Sequence, residues 1–208
     1  MNIAGIPART IAVLAALFAA YGVCADEPLS ETYDGTAWIY GGGTIRFRYP
    51  LGWTQGEFLG PIVSNAPTLD QDELGAEEVM VSMYAFPLAA GLKNGWIAPT
   101  FEIGDKNPAE LTALELLEAA AADIFLEDPR ELDLGENKTS AGAFVQQFRQ
   151  RNLMVVILPG DGSVIVSHIA GNIEAFEETI FAILATAEYG EPPPPVRRRR
   201  GPTVSIEE

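Results

Sequence analysis

The sequence predicts an α+β domain, a layered unit of antiparallel strands and helices. Three observations predict it. Short alternating apolar runs fill the first third, one capped helical run lies in the middle, and three strand-like runs in series are closed by an amphipathic helix. This order of strands, helix, antiparallel strands and helix is that of a layered unit, not of repeating βαβ units.

The strand signals begin at Thr36 to Tyr40 (TAWIY), followed by Gly41, Gly42 and Gly43. Thr44 to Tyr49 (TIRFRY) alternates: Ile45, Phe47 and Tyr49 share one face, while Thr44, Arg46 and Arg48 share the other. That pattern is a half-buried strand. Pro50-Leu51-Gly52-Trp53 turns the chain, because proline fixes φ and glycine permits a tight turn. Thr54 to Phe58 and Ile62 to Ser64 read as short strands, and Asn65 to Glu78 as a polar loop. Val79 to Phe86 (VMVSMYAF) reads as a more fully buried strand.

A helix is marked next. Asn107 offers a cap, Pro108 suits the first helical position, and Glu110 completes a capping-box-like pattern. Leu111, Leu114, Leu117 and Ala121 recur at helical spacing, which carries the helix to about Ile124. A loop or short strand follows through Asp128 to Glu136. Ala141 to Arg149 and Asn152 to Leu158 read as strands. Asp161-Gly162 is a hairpin turn, and Ser163 to Ala170 (SVIVSHIA) is the third strand. Gly171-Asn172 ends the sheet and offers a cap to a last helix, Ile173 to about Ala187, striped by Phe176, Ile180, Ile183, Leu184 and Ala187.

Outside this domain the two ends differ in kind. Ile11 to Ala20 (IAVLAALFAA) is an apolar run of signal-peptide length behind Arg9, too short for a stable membrane span. Val23-Cys24-Ala25 then resembles a cleavage site after Ala25. Residues 1–25 are thus read as a signal peptide and 26–34 as a linker. The single domain is expected over 35–190, and 191–208 as a disordered Pro/Arg-rich tail. Cys24 is the only cysteine. Tyr21 and Val23 make a poor lipoprotein signal around it, so lipid anchoring through Cys24 is the lesser reading. Cleavage after Ala25 leaves a thiol-free chain that cannot form a disulfide. The expected location is periplasmic or extracellular.

The net charge of −16 conceals an uneven distribution. Asp26 to Gly190 carries 26 acidic and 8 basic side chains, a net of −18, whereas Arg197, Arg198, Arg199 and Arg200 are clustered behind four prolines. An acidic body repels phosphate backbones and anionic lipid, which argues against nucleic acid as a partner of the domain. The arginines of the tail suit contact with an anionic partner or lipid.

The segment Ile45 to Trp53 (IRFRYPLGW) resembles the strand–Tyr-Pro–x–x–Trp opening of the Mog1/PsbP-like family, which includes the PsbP C-terminal and DcrB-type domains. The later order is similar too: small Gly142 on a strand, a hairpin, a strand and a closing amphipathic helix, over roughly residues 35 to 190. The resemblance implies an antiparallel β-sheet flanked by helices, an α/β/α sandwich. It does not imply one function, since such relatives include extrinsic photosystem II proteins, a nuclear-transport Ran-binding protein and bacterial envelope proteins.

Chemical motifs are sparse. His168, the only histidine, shares a strand face with Val164, Val166 and Ala170, and reads as a sheet-face histidine. There is no Gly-x-Ser-x-Gly elbow, His/Cys cluster, P-loop or dinucleotide fingerprint. Asp70, Asp72 and Glu73 partly mimic a calcium loop with Gly75 at its sixth position. Leu74 and Val81 stand where ligands five and twelve belong, so the EF-hand reading fails and a looser site is the weak alternative. Asn137-Lys138-Thr139 fits a glycosylation sequon. Trp38, Tyr40, Phe47, Tyr49, Trp53 and Phe58 are expected to pack mostly in the core. The sequence therefore predicts a non-catalytic accessory or protein-binding module of the envelope, needing no cofactor and docking on another envelope protein. A carboxylate-based hydrolase and a calcium-binding photosystem-type extrinsic protein are the alternatives.

Overall fold

The computed structural model describes residues 28–36, 43–58, 60–94, 110–120, 125–135, 138–147 and 150–190. The expected signal peptide, Cys24, Ala25, Trp38, Tyr40, Asn107, Pro108, Asn137 and the tail with Arg197 to Arg200 lie outside these residues.

The architecture is α+β, with two antiparallel sheets among the described residues. The small sheet holds β1 (Leu29–Thr36), β2 (Thr44–Pro50) and β10 (Glu188–Gly190), with β2 in the middle. The large sheet holds β3 (Thr54–Glu57), β4 (Pro61–Ser64), β5 (Val79–Pro87), β6 (Leu126–Leu132), β7 (Thr139–Gln147), β8 (Gln150–Leu158) and β9 (Ser163–Gly171). Its strand order is β3-β4-β5-β9-β8-β7-β6. The helices are α1 (Leu88–Asn94), α2 (Ala113–Ala120) and α3 (Glu177–Ala185).

The large sheet separates two cores. On one face Val81, Met83 and Ala85 of β5, Leu153, Val155 and Ile157 of β8, and Ile165 and Ile169 of β9 are buried. They pack with Ile180, Ile183 and Leu184 of α3 and with Tyr33, Ile45, Phe47 and Tyr49 of the small sheet. On the other face Phe86, Ala141, Ala143, Val145, Met154, Val156, Val164 and Val166 pack with Leu116 and Leu117 of α2. The strand period of two assigns alternate side chains of each strand to alternate cores.

IRFRYPLGW behaves as its pattern requires. Ile45, Phe47 and Tyr49 point inward, and Tyr33 stacks on Phe47 at 5.2 Å between centroids. Gly52 takes a φ of 84°, the left-handed value that suits glycine, and Trp53 turns inward to meet Phe176 edge-on. The expected linker over 26–34 requires correction: from Leu29 the chain is β1, paired with β2 throughout. Only Tyr33 in this polar stretch is deeply buried, so its alternation was faint.

Other boundaries shift for local reasons. The expected cap at Asn107 and Pro108 lies outside the described residues, and α2 as described begins at Ala113, behind a tight capping box. Thr112 Oγ1 accepts the Glu115 N–H, and the Glu115 carboxylate accepts the Thr112 N–H at 2.9 Å. The stretch expected as a loop or short strand at 128–136 contributes β6, which begins at Leu126. One flank of the large sheet carries a second sheet beside α3, where helices alone were expected.

Candidate functional site

At one end of β5 and β9 the α2-side face of the large sheet forms the floor of a cavity of about 790 Å³. Its floor comes from even-numbered positions: Met80, Ser82 and Tyr84 of β5, His168 and Ala170 of β9, and Asn152 of β8. Register explains the grouping, since Ser82 lies opposite His168, and His168 opposite Met154. The Tyr84 and His168 rings stack at 5.9 Å.

Two segments remote in sequence build the walls. The β3–β4 turn supplies Glu57, Phe58 and Gly60. Gly60 is needed there because a Cβ would lie 2.0 Å from the Met83 carbonyl oxygen, so only a bare backbone lets the turn close on β5. Phe58 consequently stands at the rim, 80% exposed. The loop before β5 supplies Leu69, Asp70 and Gln71. Leu69 lies against Gly56 of β3, and the Gln150 side-chain amide donates to the Gln71 carbonyl at 3.3 Å.

The polar groups of the site are in contrasting states. Ser82 Oγ donates to the His168 carbonyl at 3.1 Å, and Ser167 Oγ donates back to the Ser82 carbonyl at 2.9 Å. Burial holds the His168 imidazole below its usual pKa, favouring the neutral ring. The Glu57 carboxylate accepts the Tyr33 hydroxyl at 2.7 Å. Burial first, and then Glu57, push that phenol well above its usual value. Asn152 is 3% exposed, and its Oδ1 has no hydrogen-bond partner among the described residues. A buried unpaired acceptor costs about 1–3 kcal/mol.

The structure brings one of the three candidate calcium ligands to this cavity and leaves the others in the loop. Asp70 lies at the rim, but its Oδ1 accepts the Asp72 N–H at 3.0 Å and caps the short 3₁₀ turn Gln71–Glu73. Glu73 Oε2 accepts from Thr68 Oγ1 at 3.0 Å, and Asp72 is exposed. These carboxylates thus serve the turn, and no three His, Cys, Asp or Glu side chains are placed to hold a metal ion among the described residues. Of the six aromatics, Phe47, Tyr49 and Trp53 are core, and Phe58 alone among the described ones is exposed. Sequence reading passed over Asn152 and Ser82. Their only signal was polarity at inward positions of otherwise apolar strands.

A second cavity of about 630 Å³ lies at the other end of β5 and β9, beside the start of α2. Lys138 borders it, yet its ammonium donates to the Ala185 and Ala187 carbonyls at the end of α3, at 2.5 and 2.8 Å. Burial pulls the Lys138 pKa down, and Glu188 opposes that shift. This lysine is a helix clamp.

No family model and no curated protein matches the sequence. Among solved structures, the chain is similar to LpqN, involved in cell envelope biogenesis of Mycobacterium tuberculosis. That match is 12% identical with a TM-score of 0.39, and covers 77% of this chain and 92% of that one. It is also similar to cyanobacterial PsbP (CyanoP) from Synechocystis, 12% identical with a TM-score of 0.37, covering 81% of this chain and 98% of that one.

Proposed function

We propose that this chain is an exported, non-catalytic binding module of the cell envelope, built on the Mog1/PsbP-like plan and docking on another envelope protein. Export rests on Ile11 to Ala20 and the Val23-Cys24-Ala25 site, and the plan on IRFRYPLGW. The observation that carries the binding reading is the state of the groups around the cavity. A hydrolase needs a nucleophile facing a base, or two carboxylates with opposed roles. Here the Ser82 hydroxyl is donated to a backbone carbonyl, and the His168 ring lies along Tyr84. Both rim carboxylates already accept structural hydrogen bonds, Glu57 from Tyr33 and Asp70 from Asp72. What is left is an apolar hollow with a few fixed polar groups, the usual composition of a binding site.

Crosslinking and pull-down of the exported protein from its native cells tests the reading. The expected result is one envelope protein enriched above background, with the recovered chain beginning at Asp26 by mass spectrometry. Recovery of no partner, or hydrolysis of envelope esters or glycosides that is lost in His168→Gln or Glu57→Gln, would overturn it.

A further inference from the structure

The cavity's chemistry narrows what it can hold, given the binding reading above. Its volume of about 790 Å³ falls within the roughly 300–1,000 Å³ of small-molecule sites. Tyr84, Met80 and Phe58 offer an apolar bed for one chain or ring. The polar complement is biased toward acceptors. Glu57 and Asp70 stand at the rim, Asn152 Oδ1 is unpaired, and no lysine or arginine lines the cavity among the described residues. An anionic head would therefore meet two carboxylates and no counter-charge, on a body already at net −18. A head that donates hydrogen bonds meets the opposite situation.

We infer that this cavity binds a small cationic or neutral amphiphile, with its apolar body against Tyr84 and Met80 and an N–H or O–H head directed to Asn152 and the rim carboxylates. Asn152 Oδ1 is buried and unpaired at the cavity floor. A donor head that reaches this amide would pair an acceptor that otherwise stays unmet.

The test uses the purified mature chain with three probes of one chain length: octylamine, octanol and octanoate. Calorimetry measures affinity, and amide chemical shifts locate the site. The expected result is that octylamine and octanol move the amides of Met80, Ser82, Asn152 and His168, and that octanoate binds at least about tenfold more weakly. Asn152→Leu, nearly isosteric, is expected to weaken octylamine about tenfold while keeping the fold. The amine-over-carboxylate preference of the unaltered chain tests the same assignment without any variant. Absence of shifts at those four amides, or octanoate binding as tightly as octylamine, would sink it; so would unchanged octylamine affinity in folded Asn152→Leu. The two readings fail separately. Octylamine binding with no partner in the pull-down removes the docking proposal and leaves the ligand assignment, and a recovered partner with no probe binding does the reverse.

Discussion

On β8 and β9, Leu153, Val155, Ile157, Ile165 and Ile169 face the small sheet and α3, whereas Asn152, Met154, His168 and Ala170 face α2 and the cavity. The same strands, read at alternate residues, make a sealed side and an open side. On the sealed side Ser167 of β9 is fully buried and donates to the Ser82 carbonyl. On the open side an amide oxygen is left unpaired and burial holds an imidazole below its usual pKa. The contrast shows where the fold tolerates polar groups that it does not satisfy itself. The unpaired acceptor of Asn152 lies on the face that opens to the cavity.

Substitutions can break this contrast or sharpen it. Ile165→Ala on the sealed side is expected to cost about 3–4 kcal/mol in urea unfolding, because a fully buried side chain leaves a void that its neighbours cannot fill. Met80→Ala on the cavity floor, already beside open space, is expected to cost only about 1–2 kcal/mol. Equal costs would mean that the two sides are packed alike. Lys138→Ala is expected to lose about 2 kcal/mol by urea unfolding, since it strips the partner from two carbonyls at the end of α3, the helix that closes the sealed side.

Asn152→Leu is expected to have the opposite sign, a gain of about 1 kcal/mol in thermal unfolding without ligand, because it removes an unmet acceptor. The smallest effect concerns pH. Burial lowers the His168 pKa in the folded chain, so the unfolded chain takes up that proton first. The His168 contribution to stability is therefore present above the unfolded value of about 6.5 and is lost as pH falls below it. His168→Gln should accordingly flatten part of the stability decline between about pH 7 and pH 5, measured by denaturant midpoint against the parent chain. An unchanged profile would mean that the imidazole is not shielded.

The strongly periodic segments were legible in the sequence. TIRFRY, VMVSMYAF, NLMVVIL and SVIVSHIA all became strands: TIRFRY shows the expected alternation of faces, because apolar burial at period two leaves little choice of register, while the other three are buried along nearly their whole length. Segments stabilised by partners were not. LSETYDGT forms β1 because β2 supplies the ladder and Phe47 the ring beneath Tyr33. LEDPREL forms β6 although Pro129 reads as a strand breaker, because a bulge between Glu127 and Arg130 absorbs it. The cavity was illegible for a related reason. Its floor and walls come from β3–β4, the loop around Asp70, β5, β8 and β9, and no local pattern reports that meeting.

The bulge in β6 has a further consequence for how this chain meets others of its kind. β6 is one outer margin of the large sheet; there Pro129 has no N–H to offer, Asp128 sits at a φ of 55°, and charged side chains crowd the ribbon. The other margin, β3, offers only the four residues Thr54–Glu57. Neither rim is a template on which a second copy could add a long strand. The large sheet is thereby guarded against edge-to-edge growth into fibres, and among the described residues the long backbone margin left for such pairing is β1 of the small sheet, eight residues from Leu29 to Thr36.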